Sequence, residues 1–115
     1  MYEFQNIVTS EAEMRMVMGE PGPRVVAKVL DHLDRHCLAF IARSPFLLAA
    51  SSDGEGHFDV SPKGDPPGFV RVLDAYTLLI PERLGNRRAD TYLNVLRQPA
   101  VGLIFSCPAR PRRCA

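Results

Sequence analysis

The chain has 115 residues, of which 46% are hydrophobic and 23% are charged, a composition typical of one globular domain with a modest core rather than of a disordered chain. Its net charge of +1 depends on the last ten residues, which hold three arginines and no acidic residue, because the rest carries 11 basic and 13 acidic residues. The charge therefore gives no reason to expect a nucleic-acid partner.

Neither a membrane span nor a secretory signal is expected. The longest apolar stretch is interrupted by Arg43 and Pro45, and residues 1–14 are polar and acidic. These features predict a cytoplasmic protein without a membrane partner. The three cysteines form no CxxC pair and have no histidine at metal-ligand spacing, so neither a disulfide framework nor a metal site is expected.

The first part of the chain has helical patterns. Ser10 followed by Glu13 is a capping box and predicts a short helix over about residues 10–19. Apolar residues then recur at helical spacing, which predicts one helix, or two in succession, over about 24–43. Pro45 ends this pattern.

Short apolar and alternating runs follow, and they predict strands. An Asp-Gly pair joins the first two runs into a hairpin, and a proline-rich loop separates this hairpin from a second one. A helix and a further strand complete the pattern. The predicted strands and helix cover residues 46–52, 57–61, 68–74, 76–81, 86–99 (the helix) and 100–105.

This order of elements predicts an α+β fold with an antiparallel sheet that curls into a small barrel. A parallel sheet is disfavoured because no helical crossover connects successive strands. Five strands rarely close a barrel, so the barrel is expected to be incomplete.

No sequence motif supplies catalytic side chains. The chain lacks GxSxG, P-loop and GxGxxG motifs, and no pair of carboxylates stands out as acid and base. The histidines at positions 32, 36 and 57 are interpreted as surface or helix-face residues. Any chemistry is therefore expected to come from a bound cofactor.

The feature that remains is a set of basic residues near strand ends. Lys63 lies in the "DVSPKGDPPGFV" stretch, and Arg83, Arg87 and Arg88 lie in "ERLGNRR", just before the predicted helix. A helix N-terminus, guanidinium groups and a lysine together suit a phosphate group. The alternative is that these residues are solvated loop side chains, and the pattern alone leaves both readings open.

The stretch "SPFLLAASSDGEGHFDVSPKGDPPGFVRVLDAYTLLIPERLGNRRADTYLNVLRQPAVGLIF" resembles the pyridoxamine 5′-phosphate oxidase-related flavin-binding family. It is most similar to the short bacterial branch marked by "DVSPKGDPPGFVRVLD" followed by "IPxRxGNxRxDxxxN". The resemblance covers about residues 22–105 and implies a split β-barrel, usually a homodimer, with FMN at the subunit interface. It implies three regions: a helical extension over 1–21, a partial split-barrel flavin-binding domain over 22–105, and an aberrant or disordered basic tail over 106–115.

The resemblance also implies which residues bind the cofactor. Val60 and Ser61 would contact the edge of the isoalloxazine ring through the backbone or a hydroxyl group, and Lys63 would reach the phosphate. In the second stretch, two residues would flank the ring or ribityl chain and a polar-basic cluster would bind the phosphate. These are Ile80 and Pro81, followed by Asn86, Arg87 and Arg88.

The function implied is that of an FMN-dependent oxidoreductase acting on a small molecule. Other members of the family bind a deazaflavin or heme, and these stay alternative cofactors. The sequence lacks the arginine and histidine with which vitamer oxidases bind substrate, so vitamer oxidation is not expected. Two further readings remain: a non-catalytic module that binds a flavin or another phosphorylated ligand, and an inactive fragment.

The tail departs from the family pattern. Relatives continue the "VGLIF" strand as "VGLLFLVPGxxETLRVNG", whereas this chain continues as "SCPARPRRCA". One set of codons for residues 106–115, read in another frame, encodes LPGETETLR, which predicts a frameshift near residue 105 and loss of the later barrel strands and of dimer surface. A disordered basic tail is the alternative. The DNA sequence of codons 104–107 distinguishes them.

Overall fold

A computed structural model describes residues 1–83 and 85–109 of the chain. The chain forms two compact units, Met1–Asp31 and a second unit that begins at His32. The sequence-predicted limits at residues 21 and 105 remain predictions. In chain order the elements are α1 (Glu11–Met18), α2 (Pro23–Val26), α3 (Arg35–Arg43), β1 (Phe46–Ser52), β2 (Phe58–Gly64), β3 (Arg71–Asp74), β4 (Thr77–Leu79), α4 (Asp90–Arg97) and β5 (Val101–Ser106).

The first unit contains α1 and α2. Ser10 caps α1, because its hydroxyl oxygen accepts a hydrogen bond from the Glu13 amide at 3.2 Å. The Glu13 carboxylate reaches back to the amide of Thr9 at 2.8 Å, one residue earlier than in a standard capping box. The predicted helix start is confirmed. None of the described helices is long and apolar enough to cross a membrane.

The predicted helical stretch over 24–43 forms two helices, α2 and α3, rather than one. Helix α3 begins at Arg35 because the Asp34 carboxylate accepts hydrogen bonds from the amides of His36 and Cys37, each at 2.9 Å. It ends at Ser44, whose extended backbone (ψ 121°) is the conformation that a following proline requires. A carboxylate cap inside the apolar pattern thus divides the two helices.

The second unit contains a three-stranded antiparallel sheet in the order β2-β1-β5. Leu47 of β1 is opposite Lys63 of β2 and Phe105 of β5, and the alternation of each strand puts these three side chains on one face, here called the inner face. The central strand contributes Leu47 and Ala49, which are buried. The core therefore lies under β1 and β5, and the β2 side of the same face is polar.

Two strands, β3 and β4, form a separate antiparallel sheet with an irregularity between Val72 and Asp74. Val70, just before β3, joins Ile41 of α3 and the buried residues of β1 in the core. The described residues form antiparallel sheets and no closed barrel. The α+β class is confirmed, whereas a single curled sheet is not observed.

Strand β2 is longer than predicted, and this is a correction. The sequence predicted its end at Ser61 and a proline loop after it, but β2 continues through Pro62 and Lys63 to Gly64. Pro62 is tolerated because β2 is an edge strand. Its nitrogen, which has no hydrogen to donate, can face away from β1, so no hydrogen bond between the strands is lost. Lys63 is therefore fixed by strand geometry rather than by a loop.

Ser44 fastens α3 to the sheet. Its buried hydroxyl oxygen lies 2.7 Å from the carbonyl oxygens of Phe46 and Ser106, at the paired ends of β1 and β5. The Ser44 carbonyl oxygen accepts a hydrogen bond from the amide of Gly68 at 3.3 Å. A Cβ atom on Gly68, whose φ is 82°, would lie 3.2 Å from the Ala42 carbonyl oxygen, so glycine suits both the conformation and the close approach.

Candidate functional site

A cavity of about 320 Å³ opens between the inner-face side of β2, the segment after β4 and the start of α4. We call it the β2–α4 cavity. Its walls combine strand residues with the first turn of a helix, and most of them are polar. The lining residues are Asp59, Val60, Ser61, Pro62, Lys63, Glu82, Asn86, Arg88, Ala89, Asp90, Thr91 and Tyr92.

The structure brings together five of the eight residues predicted to bind the cofactor. Val60, Ser61, Lys63, Asn86 and Arg88 all line the β2–α4 cavity, although 22 residues lie between Lys63 and Asn86 in the sequence. The other three lie outside its lining: Ile80 packs against the core, Pro81 lines an adjoining cavity of about 190 Å³, and Arg87 is exposed.

Lys63 is held inside the wall of the cavity. Strand alternation puts its side chain on the inner face, in line with Ser61 and Asp59, and only 14% of that side chain is exposed. Its Nζ atom donates a hydrogen bond to Glu82 Oε2 at 2.6 Å. The lysine is therefore positioned by a strand and already has a carboxylate partner.

Glu82 is a site residue that the sequence analysis did not select. The hydrogen bond from Lys63 holds the pKa of the Glu82 carboxyl below its usual value, and a hydrogen bond from the Tyr92 side chain acts in the same direction. Desolvation, together with the bond to Glu82, raises the pKa of Tyr92. The only sequence signal for Glu82 was its position inside the "IPERLGNRR" stretch, which does not reveal a partner 19 residues away.

A second ion pair joins the same two segments with the opposite polarity. Arg83 Nη2 lies 2.7 Å from Asp65 Oδ2, and its Nε donates to the same oxygen at 2.8 Å. The end of β2 thus contributes a cation at Lys63 and an anion at Asp65, and the segment after β4 contributes the complementary charges. The two pairs together fasten that segment to the end of β2.

The segment before α4 forms a tight turn with unusual backbone angles. Asn86 Oδ1 accepts the Arg88 amide at 3.0 Å, and both Arg87 (φ 65°) and Ala89 (φ 57°) have left-handed conformations. Ala89 is also the residue before α4, and it provides no side-chain cap for the first-turn amides that border the cavity.

Helix α4 packs on the sheet through polar side chains. Asn94 Nδ2 donates to Ser51 Oγ at 3.0 Å, and Thr91 Oγ1 donates to Asp59 Oδ2 at 3.5 Å. The leucines that indicated the helix are exposed, Leu96 by 83%. The reason is that the facing part of the sheet carries serine and aspartate rather than apolar residues.

The charges around the cavity nearly balance. Three carboxylates, on Asp59, Glu82 and Asp90, face two basic side chains, on Lys63 and Arg88. Arg88 Nε lies 3.0 Å from Asp90 Oδ2, so both basic groups form ion pairs. An anion that enters the cavity therefore has to compete with a carboxylate for its contacts.

Strand β2 also offers backbone groups at its open edge. Asp53 N donates to His57 O and Asp65 N donates to Pro45 O, so the odd-numbered residues of this hairpin are the ones bonded to β1. The N–H and C=O groups of Val60 consequently point away from β1. Its side chain, 58% exposed, lies on the outer face, opposite Ser61.

Comparisons of the chain with protein-family models, with curated proteins and with solved structures found no match. Among the described residues, no group of histidine, cysteine, aspartate or glutamate side chains is arranged to hold a metal ion.

Proposed function

We propose that the chain binds FMN and is a flavin-dependent oxidoreductase of the pyridoxamine 5′-phosphate oxidase-like class, with a partial split barrel. The observation that carries the proposal is the convergence of Lys63, Asn86 and Arg88 on one cavity from two distant stretches of chain. In the proposed assembly two copies form a homodimer and FMN lies between them, in the cytoplasm.

The phosphate end of FMN fits the residues present. Lys63 supplies a charged ammonium group in the wall, and Arg88 supplies a guanidinium that can bind two oxygen atoms at once. The first-turn amides of α4 border the same cavity without a side-chain cap, and a helix N-terminus favours negative charge. These donors support a phosphate site.

The ring end of FMN fits the edge of β2. The backbone N–H and C=O groups of Val60 point out of the sheet, where they could bond to the polar edge of an isoalloxazine ring. The hydroxyl of Ser61 and the ring of Pro62 line the same cavity. These residues would supply one side of a ring site, and a second copy of the chain would supply the other.

A bound FMN would supply the electron-transfer chemistry, and the protein would bind and orient it. The lowered pKa of Glu82 keeps this carboxylate ionised at neutral pH, so it does not serve as a general acid. Lys63 and Arg88 would neutralise the phosphate charge. The chain's own residues thus act as binding and positioning groups in this proposal.

A non-catalytic module that binds a flavin or another phosphorylated ligand is the second candidate. It is favoured by the ion pairs of Lys63 and Arg88, because the cavity contains paired charges rather than a group poised for proton transfer. Turnover of a reduced nicotinamide with an electron acceptor would separate the two candidates. The deazaflavin alternative shares the phosphate site, whereas the described cavity walls offer heme no histidine or cysteine ligand.

Flavin titration tests the proposal. The purified chain should bind FMN and quench the fluorescence of the bound flavin. Lys63→Ala should weaken binding about tenfold or more, because a charged hydrogen bond to phosphate is lost. Lys28→Ala, a lysine substitution in the first unit, is the control and should change nothing. Failure of wild-type protein to bind FMN at millimolar concentration would refute the flavin assignment.

A further inference from the structure

The cation best placed to bind a phosphate is occupied by a carboxylate of the protein itself. Lys63 Nζ and Glu82 Oε2 are 2.6 Å apart, and the Tyr92 side chain bonds to the same carboxylate. A ligand phosphate and the Glu82 carboxylate therefore compete for the same ammonium group. The ammonium group has three donors, but a phosphate that joined the pair would lie beside the Glu82 carboxylate, and the two negative charges would repel each other.

The two partners differ in how firmly they are held. Lys63 belongs to β2, which is bonded to β1 along its length, and its side chain is largely buried. Glu82 lies in the segment between β4 and α4, outside any helix or strand, and 43% of its side chain is exposed. If the pair opens, Glu82 is the side chain that can rotate into solvent.

The neighbouring ion pair explains how Glu82 can leave without releasing its segment. Arg83, the next residue, stays bonded to Asp65 at the end of β2. Arg83 lies outside the lining of the β2–α4 cavity, so an anion in that cavity does not compete with Asp65 for the guanidinium group. The backbone after β4 remains attached while the Glu82 side chain moves.

We propose that Glu82 is an internal competitor for the anion site, which occupies Lys63 in the ligand-free protein and is displaced by the phosphate group of the ligand. This inference rests on the phosphate site of the proposed function. Glu82 is a specificity-determining residue in this arrangement. A phosphate dianion carries more charge than the carboxylate that it replaces, whereas a carboxylate ligand only matches it and gains no advantage.

The test compares two charge-neutralising substitutions. Glu82→Gln removes the competing charge and keeps the size of the side chain, and Asp65→Asn does the same at the neighbouring pair. We expect Glu82→Gln to tighten FMN binding about five- to tenfold, since a partly buried charge-assisted contact no longer has to be broken. Asp65→Asn should change FMN affinity by less than about twofold, because Asp65 bonds to Arg83 rather than to Lys63, and the amide oxygen that replaces its carboxylate can still accept a hydrogen bond from Arg83.

Riboflavin, which lacks the phosphate, is the ligand control, and fluorescence titration measures both flavins. Glu82→Gln should leave riboflavin affinity unchanged. Equal tightening of FMN by Glu82→Gln and Asp65→Asn would indicate a general charge effect and would overturn the inference. The inference would also be overturned if Glu82→Gln did not raise FMN affinity while Lys63→Ala lowered it. That result would leave the proposed function intact.

Inorganic phosphate separates the failure of the inference from the failure of the flavin assignment. Calorimetric titration with phosphate should show tighter binding to the Glu82→Gln variant than to the wild-type chain. If this holds and FMN does not bind, the competitor role stands and the flavin assignment falls. If neither FMN nor phosphate binds to either protein at millimolar concentration, the anion site and the inference are both refuted.

Discussion

Helices α3 and α4 begin in opposite ways. At α3, the Asp34 carboxylate accepts two first-turn amides, so the helix end is satisfied by the residue that precedes it. At α4, the preceding residue is Ala89, which has a left-handed backbone and no side chain that could accept a hydrogen bond. The start of α3 is therefore capped by a side chain of the chain itself, whereas the start of α4 has no such cap and borders the β2–α4 cavity.

This difference separates a structural helix end from one that is available to a ligand. Asp34 contributes to stability in any solution that keeps it ionised. The amides at α4 are left to solvent or to an anion, and the cation of Arg88 lies beside them. Loss of the capping carboxylate at the α3 end should therefore change stability, and loss of a charged side chain at the α4 end should change ligand affinity.

Among the substitutions at the two helix ends, the largest effect is expected at Arg88. Arg88→Ala should weaken FMN binding about tenfold, because a charged donor on the cavity wall is lost, while the melting temperature changes little. Fluorescence titration and thermal melting measure the two quantities. Arg87→Ala is the matched control, since Arg87 lies outside the cavity lining, and its effect should be less than about twofold. Equal losses for the two variants would contradict the cavity as the phosphate site.

A smaller effect is expected at the α3 end. Asp34→Ala removes the cap of α3 and should lower the melting temperature by about 4–8 °C without changing FMN affinity. Asp34→Ser, which also provides a capping oxygen, should restore most of the loss. A drop in flavin affinity for Asp34→Ala at a temperature where the variant is folded would break the distinction between the two helix ends.

The same cap predicts a pH dependence. The Cys37 amide, assisted by that of His36, holds the pKa of Asp34 below its usual value of 3.8. A carboxyl group with a lowered pKa in the folded state stabilises the fold above its unfolded-state pKa and loses that contribution as the pH falls through the folded-state pKa. The difference in melting temperature between wild-type and Asp34→Ala chains should therefore be full at neutral pH and shrink below about pH 4. A difference that grows on acidification would contradict this origin.

The smallest effect is expected at Ala89. Its φ of 57° is a conformation that glycine adopts without a steric penalty, so Ala89→Gly should stabilise the fold by about 0.5 kcal/mol after the entropic cost of glycine. FMN affinity should stay the same, because the amides that border the cavity are retained. Urea unfolding measures the change, and destabilisation would argue against a left-handed Ala89.

Local patterns were sufficient for the elements and for one helix start. The capping box at Ser10, the helical spacing up to α3 and the alternation of the strands depend on residues a few positions apart, and the structure confirms α1, α3, both hairpins, α4 and β5. The phosphate-binding residues were predicted from a resemblance to a flavin-binding family. Three of them, Lys63, Asn86 and Arg88, line one cavity, whereas Arg87 lies outside its lining.

Other features followed only from the tertiary structure. The sequence alone determined the α+β class, because the class depends on local conformational preferences, and it indicated the two stretches of candidate residues through their motifs. Only the folded chain decided that Glu82 pairs with Lys63, that β2 extends through Pro62 and that Leu96 faces outward. Each of these depends on which segment packs against which, since a side chain's partner and exposure are set by residues far away in the chain.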